Sequence, residues 1–263
     1  TMAGIFVRGL TGNKVNVFID GVRYSNGAQR GGVNTFLDLI EPDGLETIEV
    51  LRGPSSAQYG SDALGGSIQF FSKPPTLGST DAPRWRGVLN VSGGTGYRYG
   101  SGSGVIAYAA PSLGVTGTFR GRRAGLIRPG DGIDSHAAVT RFLGVGSDLL
   151  YPDRMPGTGF HQYGGQLRAN WLVKNNTIFT ANYMGTRQDG ANRWDQMLGG
   201  DGNRIAALED LSLDLFYARF ERLKAGWFDH ASVTYSLNTQ REERVNQGGN
   251  GNPTATIGHE PER

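Results

Sequence analysis

The chain has 263 residues and a net charge of only +2, with 42 Gly, 12 Phe, 10 Tyr, 4 Trp and no Cys. A disulfide-stapled miniprotein and a thiolate-based metal or redox centre are excluded, and so small a net charge gives no global field of the kind that marks a nucleic-acid binder. No run of 18 apolar residues exists to make a transmembrane helix, which leaves open a membrane β-barrel built from alternating segments of about ten residues. The glycines show no collagen-like period and come with abundant aromatic and aliphatic residues, so an all-β chain rich in turns fits better than disorder. Of the 26 cationic residues, 22 are Arg, a choice that suits fixed, bidentate anion contacts.

Taken in order, Thr1 to Gly9 lacks the basic, apolar and small-residue regions of a signal peptide, so the sequence reads as a mature start or a piece of a longer protein. Residues 1 to about 75 read as a compact α/β unit. Val15 to Ile19 is a strand closed by the turn pair Asp20-Gly21. Leu37, Leu39 and Ile40 lead into Glu41-Pro42-Asp43-Gly44, a short helix stopped by proline and glycine. Ile48 to Leu51 and Ser67 to Phe71 are two more strands, and Lys73-Pro74-Pro75 marks a boundary.

From Arg84 onward the period becomes two. Strands are predicted at about 84–97, 101–109, 114–122, 159–173, 177–187, 211–222 and 231–245. Leu167, Ala169, Trp171 and Val173 share one face, with Gln166, Arg168 and Asn170 on the other; Val233, Tyr235 and Leu237 repeat the scheme. In the sixth strand Leu211, Leu213, Leu215 and Tyr217 keep phase until Arg219, which predicts a register switch or bulge near Phe216. From the second connection onward, short links (Ala110 to Leu113, Lys174 to Asn176, Lys224 to Asp229) alternate with long ones at 123–158, 188–210 and 246 onward. Short turns at one end and long loops at the other are expected of an outer-membrane barrel. Seven strands do not close such a barrel, so the pattern predicts part of a larger one, with its polar, Arg-bearing face toward the lumen.

Val17-Phe18-Ile19-Asp20-Gly21-Val22-Arg23, then Ile48-Glu49-Val50-Leu51-Arg52-Gly53-Pro54 and Tyr59-Gly60-Ser61-Asp62-Ala63-Leu64-Gly65-Gly66, resemble the plug domain of TonB-dependent outer-membrane receptors. Phe6-Val7-Arg8-Gly9 looks like that family's upstream Arg-Gly element. The resemblance implies a mostly β fold: residues 1–75 as the C-terminal part of a plug, 76–83 as a linker and 84–263 as the first part of an antiparallel transmembrane barrel of 22 strands. It implies a receptor and not an enzyme, seated in the Gram-negative outer membrane, working with TonB (with ExbB and ExbD), and carrying no cofactor. No nucleic-acid partner is expected. Asp20, Gly21, Gly53, Pro54, Tyr59, Gly60, Gly65 and Gly66 match the plug motif. Arg8 and Arg52 match plug arginines that lock onto wall carboxylates, on strands expected mostly beyond this chain.

Tyr24 to Asn34 looks like an apical plug loop, and Tyr24, Gln29 and Arg30 are the candidate ligand contacts. Members of the superfamily import ferric siderophores, haem, cobalamin, nickel chelates or oligosaccharides. Haem iron would want an imidazole, and only His136, His161, His230 and His259 exist, none of them in the plug region. A ferric siderophore is therefore the first expectation and haem or a haem protein the second; a passive porin or adhesin would leave the plug motif unexplained. No G-x-S-x-G, H-E-x-x-H or P-loop pattern occurs. Asp131 to Asp134 and Asp201 to Asn203 read as ordinary acidic turns, not calcium loops.

Overall fold

The computed structural model describes residues 4–24, 35–79, 82–128, 154, 157–174, 176–192, 205–247 and 258–262. Two sheets organise them. The first is four-stranded, in the order β2-β1-β4-β3: β1 (Val15–Ile19), β2 (Val22–Arg23), β3 (Leu45–Arg52) and β4 (Gly66–Ser72). β1 and β4 run parallel, and the other two pairs are antiparallel. The Asp20-Gly21 turn needs positive φ at both central residues, 50° and 80° here, which is why this pair makes a tight two-residue hairpin. Two 3-10 segments, Thr35–Leu39 and Pro42–Gly44, and a single α turn at Ser56–Tyr59 complete the unit.

The second sheet is an unbroken antiparallel meander of eight strands, β5 to β12 in chain order: β5 (Arg84–Gly94), β6 (Tyr99–Ala109), β7 (Leu113–Ala124), β8 (Phe160–Lys174), β9 (Thr177–Asp189), β10 (Ile205–Ala225), β11 (Phe228–Gln247) and β12 (Gly258–Glu262). All seven expected strands are present, and β12 pairs with β11 in a stretch expected to be loop. β10 and β11, at 21 and 20 residues, exceed the length needed to cross a bilayer. Every connection beyond three residues after β7 falls at one end of the sheet.

The sheet is a wall with two different faces. Phe119, Leu167, Trp171, Tyr183, Val233, Tyr235 and Leu237 lie on its outer side, each at least 47% exposed. This is the apolar, aromatic surface a bilayer requires. Gln162, Gln166, Asn182, Thr186, Gln188, Gln240 and Glu242 are buried on the inner side, which carries the small unit.

β10 departs from the predicted pattern. Its register shift lies between Leu208 and Asp210, not near Phe216, and the alternation runs unbroken through Arg219. Leu211, Leu213, Leu215 and Tyr217 face inward, fully buried in one cluster with Ile19, Val22, Tyr24, Phe36, Leu39 and Ile40. The wall's inner face is thus greasy along one strand because a second hydrophobic surface covers it there. Arg219 keeps the same inward phase because it has a partner on the small unit.

Candidate functional site

The interface between the small unit and the wall is where charge is concentrated and buried. It is assembled from neighbouring inward residues on β7 to β10: Thr116, Arg168, Asn182 and Tyr217 form one cross-strand row, and Arg122, Gln162, Gln188 and Leu211 another nearer the long-loop end. Side chains in one such row lie close enough to act together.

Asp20 is the centre of the lower contact. Its carboxylate is 4% exposed. Oδ1 accepts the backbone N–H of Ser72 at 2.8 Å and faces Arg168 Nη1 at 3.4 Å, and Oδ2 accepts the Tyr217 hydroxyl at 3.0 Å. Arg219 donates to the Asp20 main-chain carbonyl, and its own Nε reaches Thr234 Oγ1 at 3.0 Å. Arg168 also donates to the Ser72 carbonyl at 3.1 Å, and Gln166 to the Ser72 hydroxyl at 2.8 Å. A buried carboxylate is tolerated only with such a set of donors.

The upper contact is an acidic edge. Glu41, 3% exposed, accepts from Gln162 Nε2 at 3.1 Å and faces Arg120 Nε at 3.9 Å. Asp43 faces Arg120 Nη1 at 3.4 Å. Gln162 and Arg122 donate to the Asp38 carbonyl at 3.0 and 3.4 Å. Burial raises the Glu41 pKa above the usual carboxylate value, against the lowering effect of the Gln162 hydrogen bond and of Arg120 and Arg122.

The motif residues knit the small unit internally. Arg23 bridges Asp62 and Asn16, Asn16 donates to the Tyr59 carbonyl at 2.7 Å, and the Phe18 and Tyr59 rings lie 5.7 Å apart. The Gly53 N–H binds the Gly65 carbonyl, and Gly65 N–H the Lys14 carbonyl. Gly60 caps the α turn that follows exposed Pro54. Gly66 is the most constrained: its φ is 150°, and any Cβ would collide with the Leu51 carbonyl oxygen.

Arg8 and Arg52 are exposed, with the Arg8 guanidinium lying over Gly53. Among the described residues, the ion pairs between small unit and wall use neither; they join Asp20, Glu41 and Asp43 to Arg168 and Arg120. These pairs set acids on the inner unit against guanidinium groups on the wall, whereas the wall carboxylates expected for Arg8 and Arg52 belong to strands mostly beyond this chain. Tyr24 is buried, its hydroxyl donating to the Phe36 carbonyl at 2.7 Å, and burial raises its pKa. Gln29, Arg30 and His136 lie outside the described residues. His161 lies 3.9 Å from Asp189, and His230 lies 3.5 Å from Glu221, both half exposed.

Sequence reasoning placed Asp20 in a turn motif but missed its wall partners, and it read Glu41 and Asp43 only as part of a short helix. The available signal was Arg120, Arg122, Gln162, Gln166 and Arg168 at two-residue spacing on the polar face of strands β7 and β8.

A small mixed sheet packed by ion pairs and apolar contacts against the polar face of a long antiparallel wall is a plug in a barrel. Residues 1–67 match the family described as TonB-dependent Receptor Plug Domain. A vitamin B12 transporter BtuB of Vibrio vulnificus (strain YJ016) is 44% identical over 73 residues, 28% of this chain and 11% of that protein. Its counterpart from strain CMCP6 is 27% identical over 206 residues, 66% of this chain and 32% of that one. The FrpB iron transporter of Neisseria meningitidis (F3-3 variant) superposes on 92% of this chain and 35% of its own, with a TM-score of 0.66 at 12% identity. The chain therefore spans about a third or less of the proteins it matches. Residues 1–67 are thus similar to the plug domain of TonB-dependent receptors, and the strands that follow share the fold of a solved iron transporter.

Proposed function

We propose that the chain is part of an outer-membrane receptor that imports a chelated metal nutrient with energy from the TonB complex, the plug gating the barrel. The reading divides the chain at about residues 75 and 84 into plug, linker and wall. The observation that carries it is the plug motif folded against the polar face of a transmembrane wall through buried ion pairs. Such a seat closes a lumen at rest and separates without chemistry. A ferric siderophore is the first cargo: the described plug and wall supply hydrogen-bond donors and guanidinium groups, which suit an anionic chelate. Cobalamin is the second reading, favoured by the 44% identity over 73 residues to a vitamin B12 transporter. Arg8 and Arg52 fit a further lock with carboxylates elsewhere on the barrel, and Tyr24, Gln29 and Arg30 an apical loop near the cargo.

The test is uptake by cells producing the receptor with and without a functional TonB. Accumulation of radiolabelled cyanocobalamin or a ferric catecholate should vanish without TonB. Uptake that persists would place the protein among passive channels, and uptake of neither probe would remove the chelate reading.

A further inference from the structure

The plug is held to the wall in two places of unlike strength. At the lower one, both carboxylate oxygens and the carbonyl of Asp20 are engaged by Ser72, Arg168, Tyr217 and Arg219, from β4, β8 and β10. The residue is 6% exposed and carries φ of 50°. A Cβ on Gly21 would lie 3.4 Å from the Arg219 guanidinium, so the cation packs directly on the turn. The upper contact is looser. The Arg120 charge meets Glu41 at 3.9 Å and Asp43 at 3.4 Å, and the Asp43 side chain is 29% exposed where that of Asp20 is 4%. Long and partly wet ion pairs contribute little, whereas a buried carboxylate stripped of its donors is strongly disfavoured.

We propose that the Asp20 socket is the fixed pivot of the plug: during the working cycle the Glu41–Asp43 edge parts from β7 and β8 while the Asp20-Gly21 turn stays seated on β8 and β10. Asp20, Arg168 and Arg219 are then positioning residues for gating. The proposal rests on the transporter reading above, and its first test does not use transport.

The chain has no cysteine of its own, so single thiols placed in it, in a receptor whose other cysteines are replaced by serine, report local separation. Ile40→Cys marks the upper contact and Ser72→Cys the socket, both buried. Maleimide labelling of the receptor in outer-membrane vesicles at sub-denaturing urea should modify position 40 at least about tenfold faster than position 72. D20N and R168M should each speed labelling at 72 by about tenfold, with the double variant no faster than either single one, while E41Q leaves it unchanged. Equal rates at 40 and 72, or no response of 72 to D20N, would overturn the proposal.

A second experiment reads the cycle itself. A short bifunctional thiol reagent bridging Ser72→Cys to Gln166→Cys should leave uptake of cyanocobalamin or a ferric catecholate within about twofold, and a bridge from Glu41→Cys to Gln162→Cys should lower it more than about tenfold. The opposite pattern sinks the pivot. Absence of any uptake by the unaltered receptor counts against the transporter reading alone, because the order of labelling is measured without cargo.

Discussion

Single residues decide whether the plug keeps its shape and its seat. Gly66 joins β4 to the preceding turn with φ of 150° and with the Leu51 carbonyl oxygen occupying the place of a side chain. G66A is expected to cost about 1–3 kcal/mol, read as the urea midpoint of plug unfolding. G94A, where nothing lies within 4 Å of an added methyl, should stay within about 0.5 kcal/mol. Glu41 gives a pH dependence of defined sign. Its carboxyl holds a proton more tightly folded than unfolded, chiefly through burial. Its contribution to stability is therefore full below the ordinary carboxylate pKa and is lost as pH rises through the raised folded value. Unfolding of plug from wall, measured from pH 4 to 7, should show the wild type losing stability relative to E41Q as pH rises. A parallel response of the two proteins would assign the slope to other carboxylates.

At the scale of elements, β10 shows why sequence reading succeeded in part. The two-residue period located all seven long strands, because alternation depends only on the pleat and survives any tertiary context. Which face turns inward does depend on that context. On β8 the apolar residues Leu167 and Trp171 face outward, yet on β10 the equally apolar Leu211, Leu213 and Leu215 face inward, and nothing local distinguishes the two. Arg219 was taken for a break in phase because its partner, the carbonyl of Asp20, is 199 residues away in sequence. The turn glycines of the plug were legible for the opposite reason: their constraint is local backbone geometry. The acids Glu41 and Asp43 were not, since only the fold brings Arg120 to them. L215A should therefore loosen the plug by about 2–5 kcal/mol while leaving the barrel's resistance to detergent unchanged, whereas L237A on the outer face should not alter plug release. Urea-dependent plug labelling and heat-modifiable mobility in gels separate the two effects.

At the scale of the molecule, the charge polarity of the interface organises the assembly. Cations on β7 and β8 meet acids on the plug, and both sets are shielded from water where the two sheets are together. Neither surface is suited to standing alone, so plug and wall should be released and seated as one cooperative event except where contacts are long and wet.

The inward leucines of β10 also set a cost on unseating the plug. Moving the plug off this strand would wet Leu211, Leu213 and Leu215, each fully buried at rest, at a cost of about 5–9 kcal/mol for these three side chains. A motion that keeps the plug seated on β10 avoids this cost, and one that unseats it wholly would need work supplied from outside the chain and returned on reseating.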